Sequence, residues 1–381
     1  MPNVWPFPPQ RKLKETMEWN TEVLRSRAAE QRICLRYTPR TTIDYNYQLM
    51  PQEIEAATVM AREWGASEFL LPFWQELKHV GTLAINATVI TVQTETLRYK
   101  PNGFVFIITS QGDYTAVEIE SVTSSTLVLK EALDRSYSGA VVMPCFPSRF
   151  SSPFKFKKYS AEYFTAESEF ITTSGFPVTE ENPYPSFNGS YVVTDRPILA
   201  GSPHETNNRE YDTFDGLSGP LFYYASYTYA VSNSTLVWSF DNNDELWAFR
   251  KWMYIVKGKQ GSFFLPRWTR DFIIAGPTVS TDSLLLVNEN TYKEDSFIGD
   301  ICIVKYNGDL IYATIISWSN PLALGKWQMN LENPIGQVLQ VADVEMITRM
   351  PRVRFNSDRV EFSHEGAGVV NVSLPVMEVP D

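Results

Sequence analysis

The sequence predicts a mainly β (α+β) protein built as two related halves, each with strands, one helix and a small β-barrel or sandwich-like hairpin module. Three observations predict it. Apolar residues make up 44% of the 381 positions and aromatics 14%, while charged residues stop at 20%, the balance of buried, aromatic-rich sheets. The chain is longer than one hydrophobic core normally fills, so more than one domain is expected. Finally, the chain repeats itself. Phe69-Leu70-Leu71-Pro72-Phe73-Trp74 returns as Phe263-Phe264-Leu265-Pro266-Arg267-Trp268, four of six positions identical at a shift of 194.

The elements follow in order. Ile33 to Tyr47 reads as a pair of aromatic-rich strands, and Leu221 to Phe240 as its counterpart. After each comes a helical stretch. Pro51 to Trp64 carries Ile54, Ala57 and Ala61 at helical spacing, and Asp244 to Val256 carries Leu246, Phe249 and Met253. Pro51 at a first turn and Asp244 as an N-cap supply the starts, and Gly65 and Gly258 the ends. The shared motif follows, with Phe69, Leu71, Pro72 and Trp74 in one half and Phe263, Leu265, Pro266 and Trp268 in the other as the expected repeat core.

Farther on, Gly103 to Ile108 and Gly299 to Val304 each run into a turn, Gln111-Gly112-Asp113 against Asn307-Gly308-Asp309, and then a second strand. There Val117, Ile119 and Val122 match Ala313, Ile315 and Trp318 at a shift of 196. The closing segments also rhyme, Met143-Pro144 with Arg149-Phe150 and Met350-Pro351 with Arg354-Phe355. Thr172 to Asn208, rich in Pro, Ser and Asn, reads as loop. The expected division is therefore a first half at 1–152, a connecting region with short strands at 153–208, and a second half at 209–381.

Chemistry is sparse. His79, His204 and His364 stand apart, with no HxH or HExxH spacing and no cysteine beside them, so no metal and no cofactor is expected. GxSxG, GxGxxG and Walker loops do not occur. Asp212 and Asp215 form the best carboxylate pair for glycoside chemistry, but Asp before Gly more often closes a turn. Tyr184, Tyr211, Trp238 and Trp318 fit a sugar platform or, more simply, a core. The expectation is a protein that is not an enzyme.

Cys34, Cys145 and Cys302 are scattered and read as reduced core residues. Met1 to Gln10 does not resemble a signal peptide, and the longest apolar runs are far short of a membrane span, which implies cytoplasmic assembly and no membrane insertion. A net charge of −11 repels phosphate backbones, so no nucleic acid is expected. Lys155, Lys157 and Lys158, in Phe-Lys-Phe-Lys-Lys, read as a strand alternating buried Phe with solvated Lys. Arg25, Arg27, Arg32, Arg36 and Arg40 make an arginine ladder that suits either a solvated face or a surface meeting a neighbour's carboxylates.

The run Glu18 to Ser26, then Glu30 to Arg36 with Pro39-Arg40, resembles the opening of tail proteins from tailed bacteriophages. Gly261 to Asp271, with Phe264-Leu265-Pro266 and Trp268, is similar to the FWLP-W-D pattern of tail-tip proteins of that family. The likeness covers about a third of the chain and rests on packing motifs. It implies a distal-tail or minor tail protein, a virion component assembled in the host cytoplasm. The implied partners are further copies in a ring, a hexamer with approximate twelvefold symmetry from the doubled unit, and other phage tail proteins of the tube, hub or fibres. A receptor- or carbohydrate-binding tail module without catalysis is the alternative reading.

Overall fold

A computed structural model describes residues 3–10, 12–26, 29–110, 112–176, 178, 180–198, 205–208, 211–217, 219–225, 231–288, 297–319, 325–366 and 368–379. The fold is mainly β, with two α-helices among the described residues, α1 (Pro51–Trp64) and α2 (Asn243–Val256).

The first strands are longer than the sequence suggests. Glu30–Leu49 is one strand rather than a pair, antiparallel to Leu13–Arg25. Its inward positions Ile43, Tyr45, Tyr47 and Leu49 alternate with polar ones, so one face builds a core around Trp5. Trp5 donates its indole N–H to the Tyr47 hydroxyl (2.9 Å) and meets Phe7, Phe150, Phe154 and Phe170 with ring centroids 4.9–5.8 Å apart. Each such buried aromatic side chain contributes about 2–3 kcal/mol.

Pro51 opens α1, where its missing N–H costs nothing, and Glu53 reaches back to accept from Met50 N. The cap of α2 is Asn242, not Asp244: its side chain accepts from Asp244 N at 2.9 Å. At the other end Gly65 closes α1 in right-handed geometry, while α2 turns through Lys257 (φ 55°) and Gly258 (φ 66°).

Beyond each helix a short strand, Phe69–Pro72 or Ser262–Phe264, pairs with a later one, Tyr137–Phe150 or Arg352–Phe355. Between them lies a five-strand antiparallel module. Its order in the first half is Val89–Thr91, Thr126–Leu129, Asp113–Val122, Phe104–Ser110, Tyr137–Phe150. The second half has the same order: Leu284–Asn288, Lys326–Leu331, Leu310–Ser319, Gly299–Lys305, Val344–Arg349. Each module has its own apolar core, around Ile90, Ile107 and Ile119 or around Leu285, Ile303 and Ile315.

The stretch 153–208 is not a separate connection. Lys155–Lys158 and Phe164–Thr172 form a hairpin whose second strand pairs with Glu30–Leu49 and with the end of Tyr137–Phe150, so the first half extends past residue 152. The hairpin Arg359–Gly366/Val369–Glu378 holds the same place in the second half, against Val231–Phe240 and Arg352–Phe355. Glu205–Asn208, at the end of the stretch, is a strand of the second half, paired with Val231–Phe240.

One continuous antiparallel run joins the halves: Lys155–Lys158, Phe164–Thr172, Glu30–Leu49, Leu13–Arg25, Arg359–Gly366, Val369–Glu378, Val231–Phe240, Glu205–Asn208. Four strands of the first half are followed by their four counterparts in the same order. The halves therefore meet head to tail.

Candidate functional site

The junction between the halves is the most elaborately built place in the molecule. Leu13–Arg25 pairs with Arg359–Gly366 from Leu13↔His364 to Glu18↔Arg359. Its inward face, Glu15, Met17, Trp19 and Thr21, enters the core of the second half, and Trp19 meets Tyr254 of α2 edge to face at 5.9 Å. Asp358 ties the same strand down: its carbonyl accepts from Trp19 N and its carboxylate from Thr21 N and Lys259 N, each at 2.9 Å.

Glu15 anchors a buried charge box. Its carboxylate bridges Arg98 of the first half and Arg250 of α2, at 2.5 Å to each, and Glu76 lies 3.3 Å from Arg98 and 3.8 Å from Arg250. These four side chains are at most 6% exposed. Burial alone would raise the Glu15 pKa, but Arg250 and Arg98 outweigh it and hold the carboxyl far below the usual range. Burial lifts Glu76 instead, helped by the negative charge of Glu15 and opposed by Arg98 and Arg250. Arg250 is brought down to about 10 by burial and by Arg98. Perturbed groups of this kind mark either chemistry or an ion network. At this depth no substrate reaches them, and what two carboxylates crossed with two guanidiniums can do is fasten one half to the other in a single register.

A second clasp uses the arginine ladder. Glu30 accepts from Arg354 through both Nε (2.6 Å) and Nη2 (3.1 Å), with Arg32 at 3.6 Å and Arg25 at 3.8 Å. Burial would raise Glu30, yet Arg354, then Arg32 and Arg25, lower it. Arg36 donates to the Glu18 carbonyl (3.0 Å), and Arg40 is exposed. Arg25 and Arg32 thus stand within ion-pair range of Glu30 and Arg36 donates to Glu18, all within the chain, while Arg32 Nη1 is buried without a hydrogen-bond acceptor among the described residues. Arg27 lies outside the described residues.

Of the repeat core, Phe69, Leu71 and Pro72 are buried in the first half, and Phe263, Leu265 and Pro266 in the second. Trp74 and Trp268 share a letter but not a backbone. Trp74 sits half-buried in a 3-10 turn, whereas Trp268 has φ 57° and lies under the Arg196 guanidinium at 5.6 Å.

Asp212 and Asp215 lie on or beside an exposed hairpin, Tyr211–Phe214/Phe222–Ala225, and Asp215 accepts from Leu217 N at 2.9 Å, closing its turn. Of the four aromatics offered as a sugar platform, Tyr184 and Trp238 are buried, Trp318 is half-buried and Tyr211 is exposed. His79 is exposed, His364 borders the charge box, and His204 lies outside the described residues. Cys34, Cys145 and Cys302 are buried free thiols. No group of His, Cys, Asp or Glu among the described residues could hold a metal, and no described helix is long and apolar enough to cross a membrane.

The expected alternation of Phe with Lys from Phe154 to Lys158 holds only in part. Phe154, the first Phe of that stretch, does pack half-buried on Trp5, but Lys155–Lys158 is exposed throughout, Phe156 by 48%, at the outer edge of the run. Among the described residues Glu205–Asn208 is the opposite outer edge.

The box itself left a trace in the sequence: Glu15 shares the inward parity of Met17 and Trp19, and Arg250 follows Leu246 by one helical turn. Nothing local marks Arg98 or Glu76. Neither the known family models nor the curated proteins contain a match to this chain.

Proposed function

We propose that this chain is a virion structural protein, a subunit of a ring at the distal end of a bacteriophage tail that connects the tail tube to the tip or baseplate. The observation that carries the reading is the repeated strand order, two equivalent four-strand groups set head to tail in one sheet. Head-to-tail contacts generate rings when the rotation closes, and six doubled subunits would give approximate twelvefold symmetry. The tail placement rests on the resemblance of Glu18 to Arg40 and Gly261 to Asp271 to tail proteins. In this role the protein acts by position, without catalysis or cofactor, and its partners are its own copies and the neighbouring tube, hub or fibre proteins.

Light scattering coupled to size exclusion, with negative-stain images of the peak, tests this on the full-length chain. A closed ring of about six copies is the expected result. A particle that stays monomeric at every concentration overturns it.

The exposed hairpin carries the second reading, a receptor- or carbohydrate-binding tail module. Tyr211, Phe214, Phe222, Tyr223 and Tyr224 are 55–69% exposed, and such rings can stack on sugars. A glycan array separates the two, because a ring subunit gives no signal on it.

A further inference from the structure

We infer that copies of this protein join by pairing the edge strand Glu205–Asn208 of one with the edge strand Lys155–Lys158 of the next, in the register that already joins the two halves within the chain. The inference deepens the ring reading and rests on it only for closure, not for the pairing itself.

The argument begins from register. Phe164 pairs with Leu49, the last residue of its strand before α1, and Val370 with Phe240, the last before α2. Taking these pairs as equivalent, Lys158↔Phe164 matches His364↔Val370, and Phe156↔Ala166 matches Phe362↔Val372. Lys155–Lys158 is therefore the counterpart of Glu361 to His364. On the other side Glu15↔Ile43 matches Glu205↔Ser234, so Glu15-Thr16 is the counterpart of Glu205-Thr206, with both letters kept.

Within the chain, the strand of Glu15 pairs with the strand of Phe362. Among the described residues, the counterparts of those two strands, Glu205–Asn208 and Lys155–Lys158, form the outer edges of the run, one at each end. Carrying the internal register over sets Glu205 opposite Phe156 of the next copy and Thr206 opposite its Lys155. Directions agree, since every neighbour in the run is antiparallel.

Three further features fit. Lysines on an edge strand usually keep it from pairing indiscriminately. At the internal junction, however, a lysine-bearing strand does pair, with Lys12 on Glu365 and Lys14 on Glu361, both at 2.8 Å. Between copies Lys155 takes the place of Glu361, opposite Thr206, and Lys155 and Lys157 project from the face opposite to that of Glu205 and Phe156.

The helices differ in the same sense. Trp247, Arg250 and Tyr254 of α2 are buried, Arg250 and Tyr254 against the first half, while their helical counterparts Glu55, Thr58 and Arg62 on α1 are exposed or half-exposed. Among the described residues nothing covers that flank of the first half. Cavities of about 460 and 250 Å³ open beside Glu205, lined by Arg267, Arg352 and Glu378 in one and by Leu265, Trp268 and Val376 in the other. Glu205 accepts from Arg267 (2.6 Å) and Ser232 (3.1 Å) beside these cavities, whereas its counterpart, Glu15, is sealed by Arg250 of α2.

Cross-linking between two singly substituted full-length chains reads the register. One chain carries Thr206→Cys and the other Lys155→Cys, so any mixed disulfide is intermolecular. Under mild oxidation the mixture should give a reducible mixed dimer, since directly opposed residues have Cβ atoms within about 5.5 Å. Replacing Lys155→Cys by Lys158→Cys, three positions off and on the other face, should cut the yield at least tenfold. The exposed double variant Lys155→Glu/Lys157→Glu should weaken assembly by tenfold or more while the far-ultraviolet circular dichroism stays unchanged.

A closed ring that gives no mixed dimer and is indifferent to charge reversal overturns the edge pairing and leaves the ring reading standing. Open filaments that cross-link in register uphold the pairing and sink the ring. Chains that never associate and never cross-link overturn both.

Discussion

Glu15 lies on the apolar face of its strand among Met17 and Trp19, where an unpaired carboxylate would not survive. It is kept there by Arg98 and Arg250, and the cost of removing water from all of them makes the box a registry device more than a source of stability. His364 borders it. Its Nε2 stands 3.7 Å from Glu15, too far for a hydrogen bond, and burial, with Arg250 and Arg98 nearby, holds its pKa below the ordinary 6.5 despite the carboxylate. The sign follows from that. The folded chain keeps His364 neutral where the unfolded chain would take a proton, so its contribution is present above pH 6.5 and is lost as pH falls from there toward the folded value. Denaturant titrations at stepped pH should show stability falling below pH 6.5 by up to about 1.4 kcal/mol per unit from this one group. In His364→Gln that part of the slope should vanish. An unchanged slope would mean that the imidazole is charged in the fold.

At the scale of elements, the two helices divide the work. Both start on local signals and pack an apolar stripe, but α2 also buries Arg250 and Tyr254 at the junction, while the matching flank of α1 faces outward. The exit of α2 is correspondingly tight. Gly258 has φ 66°, and a Cβ there would stand 2.5 Å from the Asp358 carboxylate and 3.0 Å from its Cα. Because Asp358 also receives Trp19 N, Thr21 N and Lys259 N, it cannot give way without releasing the first strand. Gly258→Ala should therefore cost about 2–4 kcal/mol, combining positive-φ strain with overpacking. Gly112→Ala, equally left-handed at φ 84° but with open space around it, should cost only the backbone part, about 1 kcal/mol. Thermal denaturation of the pair separates the two contributions, and equal losses would show that Asp358 is not held.

At the scale of the whole molecule, the halves are equivalent in plan but not independent. Met17 and Trp19 of the first half belong to the core of the second, and the Glu15 box and the Glu30–Arg354 clasp cross the same line. A fragment ending after Gly175 should expose that apolar face and stay unfolded or aggregate alone, yet regain native-like near-ultraviolet dichroism when co-expressed with the remainder. Autonomous folding of the first fragment would refute this account of the junction. The sequence by itself determined the β character, through its aromatic-rich alternation, and both helices, through their apolar stripes and, for α1, Pro51 at the first turn. It also carried the duplication, because Phe69 to Trp74 and Phe263 to Trp268 keep the same packing letters. Those signals are local: periodicity and caps are written within a dozen neighbouring residues. Only the tertiary structure decided that Lys155–Lys158 is an exposed edge rather than a half-buried strand, and that most of the arginine ladder pairs with Glu30 and Glu18 of its own chain. It alone brought Glu15 to Arg250, 235 positions away. Strand order and long-range ion pairing depend on which distant segment lies alongside, and no periodicity within a segment records its neighbour.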